Sequence, residues 1–144
     1  MNHSLFCLLL LLLLADCTGK KKHFTYQPEI SSTNEFIPSI KEQDIVLNAT
    51  INTAMSDKGR IIYLNKCKVC HYLSTAQLTG PGWQNITQRR TPAWIMNMIV
   101  YPDLMTANDP EAKKLRQMYT IAMPALGLSM EEARQVLEFM RGNN

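Results

Sequence analysis

Two cysteines and a histidine carry the most specific chemistry in this sequence. Cys67-Lys68-Val69-Cys70-His71 is a C-x-x-C-H run, the spacing of covalent haem attachment. Two thiols one helical turn apart can each form a thioether to one of the two vinyl groups of a single porphyrin. The histidine directly after the second cysteine then aims its imidazole at the iron. A methionine thioether on the opposite side gives a His/Met pair that raises the reduction potential. Two other uses of the same residues stay open. A C-x-x-C pair can shuttle a disulfide, but the βαβ pattern that flanks such motifs is missing. It can also be half of a structural zinc site, which needs four ligands. After removal of a leader, only His23 and His71 remain as histidines, so zinc would have to recruit carboxylates. A simple disulfide across so short a loop would stabilise little.

The elements that must hold these groups read as helices. Asp57 is the expected cap of a helix running to about Cys67, with Ile62, Tyr63 and Lys66 on one side. Thr91-Pro92 opens a second helix, with proline at its first position and Trp94, Ile95, Met98 and Ile99 as an apolar face. Pro102 ends it. A third begins at Asn108 or Asp109, again with proline next, and buries Leu115, Met118 and Tyr119. The last starts at Ser129, with Glu132 completing a capping box, and Gly142 stops it. No strand-rich stretch and no internal repeat is visible. The expected fold is all-α, about four helices in residues 57–144. So small a core commonly leans on a cofactor, and a haem would give these helices a large apolar surface to pack on.

The first residues read as a targeting segment. Phe6 to Leu14 is a leucine run interrupted only by Cys7, too short for a bilayer core that takes about 20 residues but suited to a signal peptide. Leu14-Ala15-Asp16-Cys17 resembles a bacterial lipobox, with Asp16 where a small residue is usual. Residues 1–16 are therefore expected to be a signal peptide and Cys17 a lipidated first residue; cleavage without lipid, or an uncleaved anchor, is the alternative. Residues 17–56 carry Lys20-Lys21-Lys22 and are broken by Pro28 and Pro38. They are expected to be a largely irregular tether, partly laid over the domain, spanning roughly 35 Å end to end. Ile45-Val46-Leu47 would form a short strand or pack on the domain. The formal charge of +3, with no basic stripe interleaved with aromatics, speaks against nucleic acid.

Residues 59 to 141 resemble a class I monohaem cytochrome c domain. Gly59-x-x-x-Tyr63-x-x-x-Cys67-x-x-Cys70-His71 resembles that family's attachment helix, and Gly80-Pro81-Gly82-Trp83 its loop after the motif. Met123-Pro124, followed by Leu128-Ser129-x-Glu131-Glu132, resembles its distal-ligand loop and C-terminal helix. The resemblance implies one covalent haem c held by Cys67 and Cys70, His71 as proximal ligand, and Met123 as distal ligand. It also implies that the Pro81 carbonyl accepts a bond from the other ring nitrogen of His71, and that Trp94 borders the propionates. Tyr72 departs from the glycine common after the motif. Of nine methionines, Met105 is the main rival to Met123, being expected in a loop. Arg89 and Arg90 are either a propionate clamp or a solvated pair on a turn.

These readings imply an electron carrier rather than an enzyme, held on the periplasmic side of a bacterial membrane by its lipid, or secreted if Cys17 carries none. Its partners would be redox proteins: a membrane quinol-oxidising complex as donor and a terminal oxidase or reductase as acceptor. A five-coordinate haem acting as gas sensor or weak peroxidase is the alternative, as is a fixed subunit of a larger reductase or oxidase complex.

Overall fold

Asn52, rather than Asp57, starts the first helix. In the computed structural model, which describes residues 40–143, the Asn52 side chain accepts a bond from the Met55 backbone N–H at 3.0 Å, and α1 runs Thr53–Ile62. Asp57 sits inside that helix and caps nothing. Without a break the chain widens into a π-helical turn, Tyr63–Cys67, in which the Lys68 N–H donates to the Tyr63 carbonyl at 2.9 Å. Such turns concentrate where a helix must re-aim a functional side chain, and here the turn delivers Cys67.

Four further helix starts follow local chemistry. α3 (Pro92–Val100) is capped by Thr91, whose hydroxyl accepts from the Trp94 N–H at 3.3 Å. α4 (Pro102–Asn108) follows at once: Pro102 ends α3, as expected, and also fills the first position of the next helix. α5 (Pro110–Met118) is capped by Asp109, and α6 (Met130–Arg141) by the expected Ser129–Glu132 box. The short α2 (Ile86–Arg89) precedes them. Among the described residues there is no strand, and the architecture is the small all-α domain that the periodicity implied, with six helices instead of about four.

α1 and α6 cross at Gly59, where a Cβ would lie 2.1 Å from the Gln135 carbonyl oxygen. That approach closes a core of Tyr63, Trp83, Ile95, Met96, Ile99, Val136, Leu137 and Met140. Full burial of Val136 and Leu137 alone is worth about 1.5–3 kcal/mol each. Two expectations about α4 and α5 need correction. Met118 is 61 % exposed, and the fully buried residue of α5 is Ala112. Met105 lies inside α4 and is buried in the body of the domain, not in a loop.

The segment 40–52 is no free tether. Ile40 is buried, its N–H donating to Asn97 Oδ1 at 3.2 Å and its carbonyl accepting from Asn97 Nδ2 at 2.8 Å. Glu42 accepts from the Ala93 N–H at 3.1 Å, in the first turn of α3. Arg134 and Arg141 donate to the carbonyls of Val46 and Asn48, and the Asn52 N–H donates to Glu138 at 2.8 Å. Ile45 and Leu47 pack against the core without forming a strand, while Val46 stays exposed. The leader, Cys17 and the lysine triplet fall outside the described residues.

Candidate haem site

The π turn and the loop after it bring the motif together. The N–H groups of Cys70 and His71 both donate to the Cys67 carbonyl at 3.0 Å, so the three residues share one tight turn. Cys67 is buried in the core and Cys70 is half-buried. Burial pushes the Cys67 thiol up to about 11; neighbouring Lys66 counters this and Cys70 adds to it. Among the described residues no group of three or more His, Cys, Asp or Glu side chains is placed to hold a metal ion, which leaves zinc without a ligand set.

His71 is fixed on several sides. Its Nδ1 lies 2.8 Å from the Pro81 carbonyl oxygen, which makes Nδ1 the protonated nitrogen. Trp83 packs against the imidazole with centroids 5.4 Å apart. Gly80 passes so close that a Cβ there would sit 2.5 Å from His71 Cε1. Burial holds the imidazole below its usual pKa, opposed in part by the Pro81 bond, so the ring is neutral at physiological pH. With Nδ1 engaged, Nε2 is the free acceptor, and no described residue bonds to it.

Cys70 and His71 border a cleft that is partly open to solvent. One wall is the face of α3 anticipated from its spacing: Trp94, Ile95, Met98 and Ile99 all line it. Ile86, Leu115 and Tyr119 add to the wall. The irregular segment between α5 and α6 also brings Ile121, Met123 and Pro124 into the cleft lining. Met105 does not line the cleft.

The residues from 56 to 144 match the family model of cytochrome c. The chain belongs to the cytochrome c family. Among solved structures it is similar to cytochrome c from Rhodothermus marinus, at 33% identity over 69% of this chain and 84% of that one, with a TM-score of 0.67. It is also similar to an engineered form of that cytochrome bound to a carbene intermediate, at 34% identity over 69% of this chain and 85% of the other, with a TM-score of 0.64. Comparison with curated proteins finds no match.

The cofactor of this cytochrome is a covalently bound c-type haem, and the protein is a haem-based electron-transfer protein of the class I type. The residues present suit that group. The cleft walls are mostly apolar, as a porphyrin face requires. A half-buried neutral imidazole offers a nitrogen unpartnered among the described residues, with one thiol on the residue before it and the other one turn earlier.

The structure gathers Cys70, His71, Pro81, Arg89, Arg90, Trp94 and Met123 around one cleft, with Cys67 behind it. The two arginines already have partners. Arg89 donates to the carbonyls of Gly82 and Gln84, at 3.2 and 3.0 Å, and so braces the loop after the motif. Arg90 pairs with Glu111 at 3.0 Å and lies over the Trp94 ring, 4.9 Å from its centre. The Trp94 indole N–H donates to Asp109 at 3.0 Å, which ties α3 to the cap of α5 at the cleft margin. Sequence reasoning gave no role to Trp83 or to the phenol of Tyr63, which donates to the His71 carbonyl at 2.9 Å. The signal for Trp83 was its place closing the Gly-Pro-Gly loop; for the phenol there was none, because its partner is a backbone atom.

Proposed function

We propose that this cytochrome is a one-electron carrier of an exported respiratory chain, with its haem held by Cys67 and Cys70 and ligated by His71 and Met123. The observation that carries this reading is that His71 and Met123 line the same cleft from two segments distant in sequence, one braced by the Pro81 loop and one irregular. Bound there, the haem supplies one-electron exchange between ferrous and ferric iron. The chain's own residues do the rest. Pro81 holds the Nδ1 proton and keeps Nε2 as the donor to the iron, a bond that raises the basicity of the imidazole. The apolar walls exclude water and so weight the equilibrium towards the less charged, reduced site. Arg89 and Arg90 line the cleft beside Trp94 and would offset propionate charge there, Arg90 while also pairing with Glu111 of α5.

Location and partners belong to the same proposal. The leucine run and Cys17 support export and a lipid anchor on the periplasmic side of a bacterial membrane. Among the described residues no helix is long and apolar enough to cross a membrane. The partners are a membrane quinol-oxidising complex and a terminal oxidase or reductase, met through small, weak interfaces below about 1,200 Å².

Met123→Ala tests the reading. The oxidised wild type is expected to show the weak red-end absorption band of a Met–iron bond; the variant loses it, and its reduction potential falls. A high-spin spectrum in the wild type would overturn His/Met ligation and bring forward the five-coordinate sensor or peroxidase.

A further inference from the structure

The rings of His71, Trp83, Tyr63 and Phe139 form a continuous row of tilted contacts from the cleft to α6. Successive centroids are 5.4, 5.1 and 5.5 Å apart. Tyr63 is buried at the centre, one turn before Cys67, and its hydroxyl reaches forward along the chain to the His71 carbonyl at 2.9 Å. The hydroxyl thus ties the end of the motif to the helix that begins it. The adjacent Tyr72 carbonyl accepts the Trp83 N–H at 2.9 Å, and the Gly80 N–H donates to the Cys70 carbonyl at 2.9 Å. The backbone on both sides of His71 is therefore held by the loop that carries Pro81.

We infer that Tyr63 is a positioning residue for the proximal ligand: its hydroxyl anchors the His71 backbone while its ring seats Trp83 against the imidazole. Only with both in place does Nδ1 meet the Pro81 carbonyl squarely. Packing at the α1–α6 crossing reaches His71 by this route, because Phe139 of α6 bears on the other side of Tyr63. The inference rests on His71 ligating the haem and is independent of the sixth ligand.

Tyr63→Phe keeps the ring and deletes the bond. In the haem-loaded, reduced full chain, NMR would follow exchange of the His71 Nδ1 proton with deuterium. The variant is expected to exchange at least tenfold faster than wild type, with helicity by circular dichroism unchanged. Its reduction potential should rise, because an imidazole less firmly bonded at Nδ1 is a weaker donor to ferric iron. Asn97→Ala, which removes the clasp on Ile40 from the other face of α3, is the control: it should lower thermal stability and leave exchange and potential near wild type. Unchanged exchange in Tyr63→Phe overturns the inference, as does an equal acceleration in the control, which would mark a general loosening. A wild-type chain that attaches no haem overturns the ligand assignment itself, a result distinguishable from both.

Discussion

At the scale of single residues, the proximal side is built by steric exclusion as much as by bonding. His71 has one nitrogen bonded to Pro81, one face against Trp83, and an edge against a residue with no side chain. Gly80 is therefore required by proximity, since a methyl group there would overlap the imidazole. Gly80→Ala should displace the ring from Pro81, at about 1–3 kcal/mol for overpacking a filled site. The expected outcome is a lower thermal midpoint and a lower yield of haem-loaded protein, seen as absorbance per mole of chain after maturation in a competent host. A fully loaded variant of unchanged stability would contradict the geometry.

At the scale of elements, the capping chemistry was legible because it is local. Thr91-Pro92, Asp109-Pro110 and Ser129 with Glu132 each announce a helix within four residues, and each does start one. The apolar face of α3 was readable for the same reason: 3.6-residue spacing alone puts Trp94, Ile95, Met98 and Ile99 on one side. Local signals misled where two choices were both plausible. Asp57 and Asn52 are both competent caps, and the long-range bond from Asn52 to Glu138 favours the earlier one. Pro102 signals a stop and a start equally well. Gly59 looked like a weak point in its helix, yet its missing side chain is what lets α1 and α6 touch. Gly59→Ala removes a poor helix former and should still destabilise, by about 1–3 kcal/mol. In a domain of this size that is a fall of at least about 4 °C in the melting midpoint, measurable by circular dichroism. A rise would show that helix propensity outweighs the crossing.

At the scale of the molecule, the arm from residue 40 to 52 was the least legible part. Its bonds join residues 57, 86, 88 and 93 positions apart, so no window of sequence holds both partners. Glu138 is the centre of that clasp. It is 1% exposed, paired with Arg134 and Arg141, and bonded to the Asn52 N–H. Burial alone would raise its pKa, but the Asn52 bond and the two guanidinium groups overcome that and hold it below the usual carboxylate value. A carboxylate lowered on folding contributes stability above its unfolded pKa of about 4.3 and loses it as pH falls through the folded value. The clasp should therefore be intact at neutral pH and weaken below about pH 4. Glu132, lowered chiefly by its bond to the Ser129 N–H, titrates in the same direction. Comparison with Glu138→Gln separates the two: the variant should be less stable at pH 7, by up to about 3 kcal/mol, and lose less on acidification. Parallel pH profiles of unfolding free energy for variant and wild type would exclude the clasp as the acid-sensitive point.

The clasp also sets an order of events. Ribosomes make the arm first, but Arg134, Glu138 and Arg141 lie in the last helix, so the segment that leads in synthesis waits for the one that trails. The C-x-x-C-H motif lies between them and is complete well before the ends can join. Any enzyme that stitches haem to those sulfurs therefore has a period in which the domain is still unfastened, and completion of α6 closes it.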